Sequence, residues 1–385
     1  MSPLRVGLVG LSPTSTSGWA QLTHLPYLQT SPHYEITGIL NSSLESSRAA
    51  IQTFDLAATA KPYQDIESLA ASPDVDLVVI CVEVARHAEL VKGAILNGKD
   101  VFCEWPLART SAEARDLAML AESKGVNGYV NIESRLLPPT VRIKQLINDG
   151  AIGTVTSTSV TATLGPVLEV WSSYAMYYLD IESGQTQLHT RVGHFLEAFC
   201  HTVGEFDVLK SVLKTHRDKV RVYDVPISQL GDAARDPERE FREVGRTAPD
   251  EILVQGQLVI GAVASVHMRS GEADAEGKIL CWIISGTEGV IEVTQTSGQF
   301  LRDASVKIQV KKEGRAVEEV EVEWDVDGDL IMFGDNMALT TTARNYKAIA
   351  EGDRDVKGRR WIGFRDAVKR HEMLDRIVLL GRSVG

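Results

Sequence analysis

The chain has 385 residues, more than one hydrophobic core comfortably serves, so two domains are expected. Its composition (44% hydrophobic, 24% charged) is that of an ordinary globular protein and excludes a disordered or fibrous class. The formal charge of −12 argues against a nucleic-acid groove built on positive potential, so no direct nucleic-acid partner is expected. Cys81, Cys103, Cys200 and Cys281 lie in apolar segments without CxxC spacing and read as free buried thiols of a reducing compartment, with no metal site. The longest apolar runs, such as Leu77–Val82, are strand-sized, so no membrane span is expected. The Met1-Ser2-Pro3-Leu4-Arg5 start has neither a secretory nor a transit pattern, and a cytoplasmic location is expected. The basic run Lys357–Arg360 reads as a solvated loop.

In chain order, strands are predicted at Arg5–Gly10, Glu35–Leu40, Leu77–Val82, Asp100–Glu104 and Gly128–Asn131. Helical stretches alternate with them: Gln21–Gln29, Leu44–Phe54, Ile66–Ala71, Ala85–Asn97 and Ser111–Lys124. Strands continuous in Val, Ile and Leu, separated by helices, predict a doubly wound parallel sheet, a Rossmann domain, over residues 1–132. After Asn131 the texture changes. Pro138–Asp149 and Gln185–His201 predict helices, with the strand Thr154–Thr163 and an aromatic stretch, Val170–Tyr178, between them. Seven strands follow: Val208–Val212, Glu251–Ile260, Ala262–Met268, Lys278–Ser285, Val290–Thr294, Val306–Lys311 and Val320–Trp324. Asp232–Thr247, polar and of mixed charge, reads as an excursion loop; Met337–Glu351 and Gly363–Leu379 read as closing helices. Residues 133–385 are thus expected to form an α/β domain with a large, mostly antiparallel open sheet, its last helices packing back on the first domain.

The turn after the first strand carries the candidate cofactor site. A dinucleotide fold needs small residues there so that backbone N–H groups can approach a pyrophosphate at a helix N-terminus. Gly10-Leu11-Ser12 supplies the first glycine, Ser12 stands at the second glycine position, and about four extra residues precede Gly18-Trp19-Ala20. The second strand runs into Asn41-Ser42-Ser43 without the carboxylate that would bind a ribose 2′-hydroxyl, and Arg48 lies one turn into the next helix. That pattern favours NADP over NAD.

Four further segments carry a resemblance: Ile80 to His87; Phe102-Cys103-Glu104-Trp105-Pro106-Leu107; Arg135 to Gly153; and Ser285-Gly286-Thr287-Glu288-Gly289. Together with the glycine loop they resemble the glucose–fructose oxidoreductase, inositol dehydrogenase and MocA-like (Gfo/Idh/MocA) family. Within it the likeness is to the fungal galactose-gene repressor branch, through Gly-Leu-Ser…Gly-Trp-Ala, Thr23-His24-x-Pro26 and Glu-Trp in place of Glu-Lys. The resemblance implies a nicotinamide cofactor reaching a cleft between two domains, and homo-oligomers formed through the C-terminal sheet. It also implies that Cys81, Val82, Val84 and His87 line the dinucleotide and that Glu104 and Trp105 stand beside the nicotinamide ribose. The family's lysine is Trp105 here, and its aspartate four residues before a histidine is Thr190, before His194.

His194 remains as candidate proton donor, since an unperturbed imidazole titrates near working pH. On Gln185–His201 an apolar face (Leu188, Val192, Phe195, Leu196, Phe199) opposes a polar stripe of Gln187, Thr190, Arg191 and His194. Trp105, Arg135, Trp171, Tyr178, Thr190 and Arg191 are candidate pocket residues, with Glu133 as an ion partner for Arg135 and His189 as a second donor. Two functions stay open. One is an NAD(P)-dependent oxidoreductase acting on a small carbonyl or imine compound. The other is a non-catalytic, cofactor-binding regulator with a protein partner.

Overall fold

The computed structural model describes residues 2–15, 18–165, 169–324, 337–352 and 361–381. The basic run at 357–360 lies outside them. The chain divides into two compact units: Met1–Glu133 with Met332–His371, and Ser134–Ile331 with Glu372–Gly385.

The first unit is built from strands β1 (Leu4–Val9), β2 (Tyr34–Leu40), β3 (Lys61–Tyr63), β4 (Leu77–Ile80), β5 (Asp100–Glu104) and β6 (Gly128–Asn131). Helices α1 (Leu25–Thr30), α2 (Leu44–Thr53), α3 (Ile66–Ala71), α4 (His87–Leu96) and α5 (Ser111–Lys124) connect them. The six strands are parallel in the order β6-β5-β4-β1-β2-β3, so the order reverses beside β1, where open α/β sheets bind ligands at the strands' carboxyl ends. Covering on both faces explains the continuous apolar runs: Val6, Leu8, Val78, Val79 and Ile80 are completely buried. Ser43, Asp65 and Thr110 cap α2, α3 and α5 by accepting backbone N–H bonds. One departure from the sequence reading is decisive: the expected helix Gln21–Gln29 opens with a π-helical turn, Ala20–His24, which carries His24.

The second unit contains α6 (Pro138–Asn148), β7 (Val155–Thr163), β8 (Val170–Ser172), α7 (Gly193–Val203), β9 (Phe206–Lys214), β10 (Lys219–Tyr223), α8 (Leu230–Arg235) and β11 (Arg242–Gly245). Then come β12 (Glu251–Leu258), β13 (Val263–Arg269), β14 (Leu280–Gly286), β15 (Gly289–Gln295), β16 (Lys307–Lys312) and β17 (Glu318–Val320). Eight strands form one sheet, β17-β16-β15-β14-β7-β13-β12-β9, antiparallel throughout except for β7 with β13. Burial alternates along β13 and β14 with the two-residue period of a strand. On the buried face Phe195 and Phe199 of α7 pack on Trp282 with ring centroids 5.7 and 5.6 Å apart. All five residues of the predicted apolar face of this helix are buried.

The excursion loop is corrected by the structure. Its ends hold part of α8 and all of β11, and β11 pairs antiparallel with β10, which pairs parallel with β8. These elements are short and polar, with no sustained periodicity to betray them. The last sheet strand is Glu318–Val320 rather than Val320–Trp324.

The chain closes with α9 (Met337–Ala350), β18 (Ile362–Gly363) and α10 (Phe364–Gly381). α9 and β18 belong to the first unit, where β18 adds an antiparallel edge to β6.

Candidate functional site

At the carboxyl end of β1 the backbone turns at Gly10, with φ +95°. A Cβ there would stand 2.0 Å from the Cys81 carbonyl oxygen, so only glycine allows the loops after β1 and β4 to approach this closely. Beyond Gly10 the loop is held by its own bonds: Gln21 Nε2 donates to Ser12 O (2.6 Å) and the Gly18 N–H donates to Ser15 Oγ (3.2 Å). A cavity of about 300 Å³ opens beside it, lined among others by Gly10, Ser12, Asn41, Ser42, Val82 and Arg86. Asp65, Glu67 and Glu89 also line it. This is the crevice in which a parallel sheet takes the adenosine part of a dinucleotide, and the glycine cradle fits that group.

The predicted cofactor residues take different places. Leu11 is fully buried. Asn41 turns inward: its Nδ2 donates to Leu11 O (2.7 Å) and Ser46 O (3.2 Å), leaving Oδ1 buried with no partner. Ser43 accepts the Ser46 N–H as the cap of α2, and Arg48 is exposed. His87 faces inward. It is completely buried, with Nδ1 on Pro106 O (2.8 Å) and Nε2 on Val82 O (3.0 Å), and it ties two loops together. Val84 is buried and Val82 half-buried.

Glu104, at the end of β5, is the centre of a buried network. Its Oε1 accepts from His24 Nε2 and from Asn131 Nδ2, each at 2.7 Å, and the Trp19 side chain adds a third bond. His24 Nδ1 meets the Tyr346 hydroxyl at 2.7 Å, and Asn131 is held by Asn345 Nδ2 (2.8 Å) and by Thr342 Oγ1 (3.1 Å). Burial pushes the Glu104 carboxyl up, but the donors from His24, Asn131 and Trp19 outweigh it and hold the carboxyl below its ordinary value. A fixed anion therefore sits under the strand ends. Ligating atoms of His24, Cys81 and Glu104 lie within 4.8 Å of one another. The direct His24–Glu104 bond and a Cys81 thiol pushed well up by burial make this a hydrogen-bonded cluster rather than a metal cage. None of Asn131, Thr342, Asn345 and Tyr346 was expected at the site, because nothing local marks residues that meet across such separations.

Trp105 is 5% exposed, and its ring packs against His371 at 4.6 Å between centroids. In the second unit, Arg135 Nε donates to buried Glu197 Oε1 (2.5 Å), which makes Glu197 an ion partner of Arg135. A second π-helical turn, Leu188–Val192, precedes α7 and carries His189, Thr190 and Arg191. The Tyr178 hydroxyl lies 3.4 Å from Thr190 Oγ1, and Arg191 Nη1 donates to Leu164 O (2.5 Å). His194 is half-buried one residue into α7. Burial pushes His189 down to about 4, so it is neutral at working pH and offers no imidazolium proton. Trp171 serves packing: its Nε1 bonds Ala175 O (2.7 Å) and its ring covers Leu179, Val220 and Val222.

Two of the motifs behind the family resemblance prove to be one lock. Thr154 N–H donates to Thr287 Oγ1 (3.1 Å), Glu288 N–H to Ile152 O (2.9 Å), and a Cβ on Gly286 would stand 2.1 Å from Ile152 O. The pattern is structural: it fixes the end of α6 to the β14–β15 hairpin.

Comparison with known proteins gives a family model described as an oxidoreductase family with an NAD-binding Rossmann fold over residues 4–132. A second model, the C-terminal domain of Gal80p, matches residues 138–295. The dehydrogenase aclE of Aspergillus oryzae is 32% identical over 295 residues, covering 75% of this chain and 76% of that protein. The galactose/lactose metabolism regulatory protein GAL80 of Saccharomyces cerevisiae is 30% identical over 313 residues, covering 77% and 68%. Among solved structures, a super-repressor mutant of Gal80p from Saccharomyces cerevisiae superposes with a TM-score of 0.82 at 23% identity, covering 100% and 97% of the two chains. Levoglucosan dehydrogenase in complex with NADH and levoglucosan gives 0.73 at 22%, covering 99% and 98%. At these identities the structures speak for the fold alone.

Proposed function

The chain belongs to the Gfo/Idh/MocA family of oxidoreductases with an NAD-binding Rossmann fold, and we propose that it transfers hydride between a nicotinamide dinucleotide and a small carbonyl or imine compound. The observation that carries this reading is the approach of Gly10 to the Cys81 carbonyl beside a polar cavity, with Glu104 held anionic at the neighbouring strand ends. The bound cofactor supplies or accepts the hydride at its nicotinamide ring. Gly10 and Ser12 let the backbone approach the pyrophosphate, and Glu104, braced by His24 and Asn131, orients the nicotinamide ribose. His194 handles the proton on the substrate heteroatom, with Tyr178 and Thr190 shaping the pocket and Arg135 steadied by Glu197.

The cavity supports NAD over NADP, against the reading of the sequence. Three carboxylates, Asp65, Glu67 and Glu89, line it beside one cation, Arg86, a balance that repels a 2′-phosphate. The partnerless Asn41 Oδ1 is an acceptor for a ribose hydroxyl. The open face of the eight-stranded sheet is the surface through which we expect copies of the chain to associate.

A second reading, a cofactor-binding regulator without turnover, is favoured by the Gal80p-like match over 138–295 and by Trp105, buried where the family carries lysine. One experiment separates the two. NADH binding is followed by fluorescence, then its oxidation by absorbance across ketones, aldehydes and cyclic imines. Turnover lost in His194→Ala supports the oxidoreductase. Tight NADH binding without turnover on any of these compounds favours the regulator.

A further inference from the structure

The π-helical turn before α7 carries a charge for which the first unit's cofactor site has no use. Arg191 is half-buried, and its one hydrogen bond among the described residues goes to the Leu164 carbonyl, with no carboxylate partner among them. A guanidinium has five N–H donors, so among the described residues most of its donating capacity is unused in a partly desolvated place. Arg302 lies nearby. It is 9% exposed and donates to Gln299 Oε1 (3.0 Å), and its segment reaches α7 through Phe300, which packs on Phe195 at 5.7 Å. The two cations sense each other: burial lowers the Arg191 pKa, Tyr178 raises it, and the Arg302 charge lowers it again.

A second, independent observation sits on the same turn. Gln187, 8% exposed, has a buried Oε1 with no partner. It lies four residues before Arg191, and the Val192 N–H to Gln187 O bond (3.0 Å) shows the wide π-turn that brings positions 187 and 191 to one side. An orphaned acceptor costs free energy unless a donor reaches it. Beside it stand the Tyr178 hydroxyl and Thr190, where the family carries an aspartate that would repel an anion.

We propose that this turn binds a hydroxycarboxylic acid, with the carboxylate held by Arg191 and Arg302 and a hydroxyl donating to Gln187 Oε1. The inference rests on the oxidoreductase reading only in taking this ligand as the substrate; the binding itself stands apart from turnover. Guanidinium–carboxylate pairing would then select acids over their neutral esters.

The test uses the full chain with and without saturating NADH, and mandelate against methyl mandelate as probes, with binding read by calorimetry. NADH with a hydroxy acid is a dead-end pair, so no reaction confuses the titration. Wild type is expected to prefer the acid by about tenfold or more, the range of a charged hydrogen bond. Arg191→Gln and Arg302→Gln should erase most of that preference, and Arg191→Lys should retain part of it. Gln187→Met should weaken acid and ester alike, since both carry the hydroxyl. Equal binding of acid and ester, no saturable mandelate binding, or a preference unchanged in both glutamine variants overturns the proposal. Circular dichroism on each variant confirms folding. Acid selectivity without NADH-linked turnover would leave this site standing and sink the oxidoreductase reading; turnover without acid selectivity would do the reverse.

Discussion

His24 Nε2 lies 2.7 Å from Glu104 Oε1, joining a π-helical turn near the start of the chain to the end of β5. The bond holds the carboxyl ionised against its own burial. Replacing His24 by leucine leaves burial in command, and the Glu104 pKa should rise. Breaking a buried pair from one side costs about 3–5 kcal/mol.

The pH dependence follows from the same bond. A carboxyl whose folded pKa is depressed stabilises fully above its unfolded value, roughly 4.3, and the contribution is lost as pH falls through the lower folded value. Wild-type unfolding midpoints should therefore fall as pH drops below the unfolded carboxyl value, while in His24→Leu, whose Glu104 is no longer held down by the imidazole, that acid-side loss should be smaller. Superimposable midpoint-against-pH curves for the two proteins would count against this account.

His189 adds a separate acid-side effect. Its pKa is pushed by burial from 6.5 to about 4, so a neutral buried ring must charge on unfolding below the unfolded value. Its stabilising contribution is complete above pH of about 6.5 and fades as pH falls toward the folded value. His189→Gln should flatten the stability profile across that window, measured by thermal unfolding, without altering NADH affinity.

At Gly10, alanine would need a Cβ 2.0 Å from a carbonyl oxygen and a positive φ. Gly10→Ala should lower stability by about 1–3 kcal/mol and abolish NADH binding in a fluorescence titration. Retained affinity would remove the β1 turn from the cofactor site.

Cofactor choice is testable at Asp65. Asparagine keeps the cap that Asp65 provides to Ser68 of α3 but removes one of three carboxylates from the cavity. Wild type should bind NADH more tightly than NADPH, and Asp65→Asn should narrow the ratio. A wild-type preference for NADPH reverses the reading.

Much of the first unit was legible because its signals are local. Asp100–Glu104, Gly128–Asn131, Ile66–Ala71 and Ser111–Lys124 appear in the structure at the predicted residues, since buried strands and capped helices write continuous or periodic apolar patterns. β3, Lys-Pro-Tyr, carries no such run and was missed, as was β10. The π-helical turns were hidden for a different reason: one extra residue in a turn shifts hydrogen bonding, not hydrophobicity. The tight turn at Gly10 and the place of Glu104 at the end of β5 were readable from pattern. The bonds of Ser43 and His87 to backbone atoms were not, because which partner a side chain takes depends on neighbours that a sequence does not reveal.

The bonds from Tyr346 to His24, and from Thr342 and Asn345 around Asn131, have a consequence for synthesis on the ribosome. A nascent chain of the first 133 residues carries the glycine turn and five of the connecting helices but lacks the hydroxyl and amides that brace the anion. At cellular elongation rates of about 5–20 residues per second, the closing segment emerges on the order of 10–50 s later, after the Ser134–Ile331 part of the second unit. The Glu104 network, whose carboxylate is encoded early, is thus completed late, and premature termination anywhere before Tyr346 leaves that buried carboxylate without part of its support.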